Sequence, residues 1–161
     1  MKVDYTVSVK RFSKLSPKEI SRLKKLTFGR YPGNSAMLPY LLALEADVPY
    51  ARKMRAIMLL NKRGVIVAWA SLRKFRTTSL SPLLPTLDEV EINVFTAPNY
   101  RGLGIGSILV SEAKRYATKT WPRSVVLACG HDEVSKSFYG RNGFSMQYSS
   151  DNTGPMIWKK E

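Results

Sequence analysis

Alternating apolar and polar side chains predict the strands in the first half of the chain. Over residues 3–9 every second side chain is apolar, in the order Val3, Tyr5, Val7 and Val9. A period of two places these side chains on one face, which predicts a half-buried β-strand. Further along, RAIMLL and VIVAWASL flank the tetrapeptide NKRG. With Gly64 available for the turn, these two runs predict a β-hairpin.

Helical spacing of apolar residues, together with capping residues, predicts two helices between these strands. In SPKE, Ser16 is a suitable N-cap, Pro17 occupies the first helical position and Glu19 completes a capping box. The helix should run to about Thr27, with an apolar inner face formed by Ile20, Leu23 and Leu26. After the interruption GRYPGN, a short second helix is predicted from Pro39, carrying Leu41, Leu42 and Leu44.

The second half of the chain alternates strand-like and helix-like segments. EVEINVFT places Val90, Ile92 and Val94 on one side of a strand and polar residues on the other. A helical stripe follows, formed by Ile105, Ile108, Leu109, Glu112, Ala113, Tyr116 and Ala117. SVVLACG predicts a short buried strand, DEVSKSFYGRNGF a helix ending at Gly143, and FSMQYSS with PMIWKK a final hairpin. The order β-α-α-β-β-β-α-β-α-β-β predicts one α/β domain over residues 1–161, built on a mixed sheet.

Composition narrows the class of protein. No apolar run approaches the roughly 20 residues of a membrane helix, and the N-terminus lacks the continuous apolar core of a signal peptide. Cys129 and His131 are the only residues of their types, so we expect no internal disulfide, no cysteine-based zinc cluster and no metal site. We therefore expect a cytoplasmic protein that does not bind a membrane.

The charge balance is strongly basic. Lys and Arg number 26 against 12 Asp and Glu, a formal net charge of +14, and residues 51–76 contain eight basic residues and no acidic one. A surplus of this size favours an acidic partner such as RNA, a ribosome or an acidic protein, because one phosphorylated ligand would not require it. A solvated surface that keeps the protein soluble is the alternative.

The segment NYRGLGIGSILVSEAKRYA places Gly102, Gly104 and Gly106 between a predicted strand and a predicted helix. It lacks the lysine of a Walker loop, and its G-x-G-x-G spacing differs from the dinucleotide-binding G-x-G-x-x-G. A glycine-rich turn before a helix N-terminus directs backbone N–H groups and the positive end of the helix dipole at one concavity. This arrangement favours binding of an anionic phosphate, and a tight turn without a ligand is the alternative.

Two segments, within residues 88–148, resemble one known family. PNYRGLGIGSILV resembles the acetyl-coenzyme A loop of the GNAT N-acetyltransferase superfamily, whose pattern Gln/Arg-x-x-Gly-x-Gly/Ala is matched by Arg101, Gly104 and Gly106. SKSFYGRNGF resembles a later segment of that family, with matches at Tyr139, Gly143 and Phe144. The resemblance implies a mixed central β-sheet flanked by helices, with splayed central strands that hold acetyl-CoA.

The resemblance also implies where acetyl-CoA binds. The backbone of Val94, Phe95 and Thr96 is expected to pair with the amides of the pantetheine arm. The pyrophosphate is expected on a run formed by Arg101, Gly102, Leu103, Gly104, Ile105, Gly106 and Ser107. Asp132 replaces the asparagine that many relatives carry seven residues before the tyrosine, and it is a candidate contact to the coenzyme. Lys136 either reaches a coenzyme phosphate or lies on a solvated helix face.

For the chemistry, the resemblance implies direct attack of a substrate amine on the thioester. Tyr139 matches the tyrosine that commonly protonates the departing thiolate, with packing beside Phe138 as the alternative. An ammonium group with a pKa near ~10.4 must lose a proton before it attacks, so a general base is needed. Glu91 is the preferred base, and Glu89, His131 or water are alternatives. An ion pair between Glu91 and a nearby Arg or Lys is the non-catalytic interpretation.

The predicted activity is acetyl-CoA-dependent acetylation of a primary amine. The positive charge disfavours polyamines and aminoglycosides, and it favours an acidic or RNA-associated macromolecular acceptor. That acceptor is a protein amine or aminoacyl-tRNA, as acetylated by the toxin branch of the family. A non-catalytic GNAT-fold module that binds nucleic acid or protein is the competing class. The sequence leaves open whether the acyl group is acetyl or larger, and whether the chain is a monomer or a homodimer.

Overall fold

The computed structural model describes residues 4–28, 54–77, 87–128, 132–146 and 155–158. The strands in these ranges are β1 (Thr6–Arg11), β2 (Met54–Leu60), β3 (Ile66–Thr77), β4 (Leu87–Thr96), β5 (Val125–Ala128), β6 (Ser145–Met146) and β7 (Met156–Trp158). The α-helices are α1 (Pro17–Phe28), α2 (Ile105–Thr120) and α3 (Glu133–Arg141), with 3-10 turns at Phe12–Lys14 and Pro98–Tyr100. None of the described helices has the length and apolar character needed to cross a membrane.

Several predicted features fall outside the described residues. They are the helix from Pro39, Cys129, His131, the turn of the final hairpin and most of the loop over residues 77–87.

The strands form one mixed sheet in the order β1-β2-β3-β4-β5-β7-β6. β4 and β5 are parallel, paired from Glu89↔Val125 to Ile92↔Ala128, and the chain between them contains α2. β1 with β2, β5 with β7 and β6 with β7 are antiparallel. A mixed sheet accompanied by helices confirms the predicted fold class, and the pairing of β6 with β7 confirms the final hairpin.

The chain divides into two compact units. The first comprises Met1–Ser71 and Val94–Leu109, and the second comprises Leu72–Asn93 and Val110–Glu161. β3, β4 and α2 each begin in one unit and end in the other. The assignment of residues 1–161 to one domain stays a prediction.

In the first unit, α1 begins and packs as predicted. The Ser16 hydroxyl accepts a hydrogen bond from the Glu19 N–H (3.2 Å), and the Glu19 carboxylate accepts one from the Ser16 N–H (2.8 Å), which forms the capping box. Leu23 and Leu26 are buried in a core cluster whose aromatic members are Phe12, Trp69 and Phe95. Burial of each leucine contributes roughly 1.5–3 kcal/mol of transfer free energy. This cluster contains Phe95, so it fixes the end of β4.

The first strand was predicted over residues 3–9 and is found at Thr6–Arg11, and its valine face is less buried than expected. Val7 and Val9 are 39% and 38% exposed. Their cross-strand partners on β2, Leu59 and Ile57, are fully buried. β1 is the edge strand of the described sheet. Side chains on this face are therefore packed less completely on β1 than on β2.

The other predicted apolar faces are mostly confirmed. Val90 and Ile92 of β4 are fully buried, as are Ala113 and Ala117 of α2. Ile108, predicted to belong to the same helical stripe, is 40% exposed. At 100° per residue it lies about 140° around the helix from Ala113, which places it away from the buried side.

Candidate functional site

A short, well-anchored loop connects β4 to α2 in the first unit. The Ala97 N–H donates to the Val67 carbonyl on β3 (2.9 Å), and the Tyr100 N–H donates back to the Ala97 carbonyl (2.9 Å). The Tyr100 hydroxyl accepts a hydrogen bond from the Asn61 amide (3.3 Å). The Asn61 side-chain oxygen also accepts from the Val65 N–H (3.0 Å) in the β2–β3 turn. The loop is therefore tied to the predicted hairpin, which the structure confirms.

Two of the three glycines adopt a left-handed backbone conformation. Gly102 has φ +73° and Gly104 has φ +76°, values that L-residues with a side chain rarely adopt. A Cβ atom added at either position would meet no atom of the described residues within 4 Å. Backbone conformation therefore explains these two glycines, and no described residue fills the space beside them. Gly106 is the second residue of α2 and is half-buried.

The first turn of α2 has backbone N–H donors at its start and contains no acidic residue. The first bond of the helix runs from the Ile108 N–H to the Gly104 carbonyl (3.1 Å). The N–H groups of Ile105, Gly106 and Ser107 precede it and have no acceptor within the helix. The first turn of α2 contains no Asp or Glu, so about half a positive charge remains there. Such a helix end binds anions.

The side chains of the loop and of the end of β4 differ in how far they are buried. Ile105 is buried (1% exposed) and anchors the helix start, whereas Leu103 is 57% exposed. Arg101 is exposed, and its Nε–H donates to the Thr96 carbonyl (3.3 Å) at the end of β4. Phe95 stacks on Trp69 with ring centroids 5.1 Å apart.

In the second unit, Glu91 forms an ion pair. Its Oε2 atom accepts from the Arg73 guanidinium (2.5 Å) and its Oε1 atom accepts from the Asn93 amide (3.1 Å). Nearby, Lys74 pairs with Asp88 (2.9 Å). The non-catalytic interpretation of Glu91 therefore has a physical basis, while its catalytic role stays a prediction. The positive charges of β3 are in part matched by the acidic residues of β4.

Tyr139 lies at the end of α3 in a helix-terminating turn. The Phe144 N–H donates to the Tyr139 carbonyl (3.1 Å) and the Gly143 N–H donates to the Gly140 carbonyl (3.0 Å). With Gly143 at φ +82°, these two bonds form a Schellman motif. The Phe144 ring contacts the Tyr139 ring edge-on, with centroids 5.5 Å apart. The spacing from tyrosine to Gly-Phe is therefore the spacing of a helix C-cap, and it fixes a buried tyrosine.

Asp132 and Lys136 are held by interactions within α3. Asp132 is the N-cap, and its Oδ1 accepts from the Ser135 N–H (2.7 Å) while the Ser135 hydroxyl accepts from the Asp132 N–H (3.1 Å). Lys136 pairs with Glu133 (3.2 Å). Contacts of either side chain with a coenzyme stay predictions.

The predicted site residues are distributed between the two units. The first contains the strand end and loop residues 94–96 and 101–107, while the second contains Glu91 on β4 and Asp132, Lys136 and Tyr139 on α3. Among the described residues, no three His, Cys, Asp or Glu side chains are grouped so that they could hold a metal ion.

Sequence reasoning missed two residues that contact this machinery. Arg73 pairs with Glu91, and Lys114 donates to the Asn142 carbonyl beside the Tyr139 turn. Arg73 had a weak sequence signal, since it follows an apolar run and the next predicted strand carries acidic residues. Lys114 had none, because its partner is 28 positions away.

The protein has an α/β fold in which a glycine-containing loop leads into the N-terminus of α2. Residues 21–144 match the model of the acetyltransferase (GNAT) family. Because this match covers more than half of the chain, the protein belongs to the GNAT family and is an enzyme of the N-acetyltransferase class. A search of curated proteins found no match.

Solved structures of acyltransferases share the fold. An acyl-CoA N-acyltransferase from Pseudomonas aeruginosa has a TM-score of 0.65 at 18% identity, over 97% of this chain and 100% of that chain. An acetyltransferase from Trypanosoma brucei has a TM-score of 0.65 at 21% identity, over 91% and 96%. A GNAT-family N-acetyltransferase from Escherichia coli, solved in complex with CoA, has a TM-score of 0.69 at 14% identity, over 98% and 82%. At these identities the likeness shows the fold alone.

Proposed function

We propose that the protein transfers an acetyl group from acetyl-CoA directly to a primary amine of an acidic or RNA-associated macromolecule in the cytoplasm. The observation that carries the proposal is the loop of residues 101–107. It combines two left-handed glycines with a helix N-terminus that has no acid in its first turn. When bound, acetyl-CoA supplies an activated acetyl thioester.

The loop residues fit the pyrophosphate of a coenzyme. Phosphate oxygens accept hydrogen bonds from backbone N–H groups at a helix N-terminus and are favoured by its dipole. The open space beside Gly102 and Gly104 would let such a group approach the backbone closely. Arg101 uses its Nε–H on the Thr96 carbonyl, and the outer N–H groups of a guanidinium suit phosphate. On β4, the backbone of residues 94–96 would meet the pantetheine arm.

Tyr139 is the proposed general acid. Its hydroxyl would donate a proton to the sulfur that departs during transfer, a role worth about 10²–10⁴-fold in rate. The side chain is 5% exposed, and the turn that follows it fixes its backbone. A buried, rigid phenol is suited to this role because its position is set before the substrate arrives.

Glu91 is the proposed general base, acting on the acceptor ammonium directly or through water. One carboxylate oxygen accepts a hydrogen bond from Arg73 and the other accepts one from Asn93. Because a carboxylate has about four lone-pair sites, each oxygen could accept a further hydrogen bond or a proton. Arg73 would orient the carboxylate in this arrangement. Glu89, His131 and water remain the alternative bases.

The acceptor class is argued from the distribution of charge. By sequence, the first unit has 15 Lys and Arg against four Asp and Glu, whereas the second has 11 against eight. In the first unit Glu19 is paired with Lys10 (2.7 Å) and Asp4 with Lys62 (3.2 Å). Lys18 and Lys25 are exposed and lie seven residues apart, hence on one face of α1. This concentration of positive charge favours a polyanionic acceptor and disfavours small polycations.

Aminoacyl-tRNA is the second candidate acceptor. Its amine is attached to RNA, so a positively charged surface would attract the phosphate backbone in a salt-dependent manner. The same charge would serve a protein acceptor in a ribosomal or nucleoprotein setting.

Labelled acetyl transfer separates these candidates. The protein is incubated with a cell extract and [¹⁴C]acetyl-CoA, and the product is divided between protease and ribonuclease treatment. Macromolecular label lost to protease alone identifies a protein acceptor, and label lost to ribonuclease identifies aminoacyl-tRNA. Label found only in small amines would refute the macromolecular acceptor. No transfer to any amine, with CoA still bound, would support the non-catalytic module.

A further inference from the structure

The Lys114 side chain crosses from α2 to the turn that ends α3. Its ammonium donates a hydrogen bond to the Asn142 carbonyl oxygen. The nitrogen also lies 5.0 Å from the ring centroid of Phe144 and 4.7 Å from that of Trp158, which is cation–π geometry. The side chain is half-buried, and this burial lowers the pKa of Lys114. The Lys114 ammonium is therefore partly removed from water, and it contacts one carbonyl oxygen and two aromatic rings instead.

The carbonyl that Lys114 binds belongs to the turn that fixes Tyr139. The last carbonyls of a helix have no N–H donor within the helix, and each needs a donor from elsewhere. The Phe138 carbonyl accepts from the Asn142 amide (2.8 Å), and the Tyr139 and Gly140 carbonyls accept from the N–H groups of the turn. Lys114 supplies a donor for a further carbonyl at this helix end, that of Asn142. Its positive charge also lies at the negative end of the helix dipole.

We propose that Lys114 is a positioning residue for Tyr139, holding the turn after α3 so that the tyrosine hydroxyl is placed for proton donation. The inference rests on the proposed function, in which Tyr139 is the general acid. Phe144 is the physical link, because it contacts both the Lys114 ammonium and the Tyr139 ring. Gly143 is packed close to the same ammonium, since a Cβ added there would lie 3.4 Å from the Lys114 nitrogen.

The first test compares Lys114→Met with Lys119→Met on the same helix. Methionine keeps an unbranched apolar stem but removes the donor and the charge. We expect kcat to fall roughly tenfold in Lys114→Met, because small misplacements of a catalytic group have effects of this order or larger. The KM for acetyl-CoA should stay within about twofold. Lys119 is exposed, and its substitution should leave both constants unchanged. Lys114→Arg, which restores the charge and a donor, should recover most of kcat.

A double-mutant cycle distinguishes positioning of Tyr139 from general damage. In a Tyr139→Phe background, Lys114→Met should cause no further loss of kcat, because the group that it positions is already absent. An equal loss in both backgrounds would overturn the proposal, as would a Lys114→Met enzyme indistinguishable from Lys119→Met. If Tyr139→Phe itself leaves kcat unchanged, the general-acid assignment fails, and Lys114 has no role through it. If Lys114→Met does not fold, Lys114→Gln replaces it in the same cycle.

Discussion

Substitution of Gly104 by alanine tests whether the loop binds a phosphate through its backbone. Gly104 has φ +76°, and the added methyl group would project into open space. Gly64, in the β2–β3 turn, has φ +71° and the same open surroundings. Gly64→Ala is therefore a matched control. The two substitutions impose the same backbone strain, but only Gly104 directly precedes α2, where the phosphate is proposed to bind.

Both substitutions should lower the stability of the protein without ligand, but only Gly104→Ala should also weaken CoA binding. Holding an alanine in the left-handed region costs about 1–2 kcal/mol. For a chain of this size each kcal/mol lowers the Tm by about 2–4 °C, so both variants should lose several degrees without ligand. The weaker binding has a steric cause: a methyl group at Gly104 occupies space that a closely approaching phosphate needs. We expect CoA to bind Gly104→Ala about tenfold more weakly, a loss of about 1.4 kcal/mol.

Thermal unfolding with and without CoA measures both effects. At a CoA concentration of about 100 times the wild-type Kd, binding stabilises the native state by about 2.7 kcal/mol. The Gly64→Ala variant should retain this full increment. The Gly104→Ala variant, at the same concentration, should gain only about 1.4 kcal/mol. Equal CoA-induced stabilisation of the two variants would refute the argument that the backbone at Gly104 contacts the coenzyme.

Three further predictions concern individual side chains. Tyr139→Phe should lower kcat by about 10²-fold or more with little change in CoA binding, measured by steady-state kinetics and calorimetry; unchanged turnover would remove Tyr139 from the mechanism. Glu91→Gln should lower the rate at neutral pH, with a loss that shrinks as the pH approaches the pKa of the acceptor amine; a loss independent of pH would indicate that Glu91 only orients the acceptor. For Glu19, desolvation raises the pKa, but the hydrogen bonds from Lys10 and Ser16 outweigh it and lower the pKa below 4.5. The stabilisation from Glu19 is therefore present above pH 4.5 and lost as the pH falls through the lowered pKa. The difference in unfolding free energy between wild type and Glu19→Gln, under about 1 kcal/mol, should therefore vanish in acid. A difference that does not change with pH would contradict this linkage.

Features encoded by neighbouring residues were predictable from the sequence. The Ser16–Glu19 capping box, the turn with Gly64 and the helix end at Gly143 each depend on residues within about five positions of one another, and the structure confirms all three. Burial of Val90 and Ile92 followed from their period of two. The partial exposure of Val7 and Val9 could not be predicted from this period, because it depends on the position of β1 at the end of the strand order.

The candidate site shows the same division between local and distant determinants. The fixation of Tyr139 by Gly143 and Phe144 is local, which is why a short motif can carry it. The interactions that decide how the flanking groups behave are distant: Arg73 reaches Glu91 from 18 positions away and Lys114 reaches Asn142 from 28 positions away. A short motif therefore identifies a candidate catalytic side chain. The orientation of that side chain depends on distant residues that no local pattern identifies. Chemistry predicted from the motif residues alone would miss Lys114, and the double-mutant cycle with Tyr139 measures how much of the turnover depends on that distant contact.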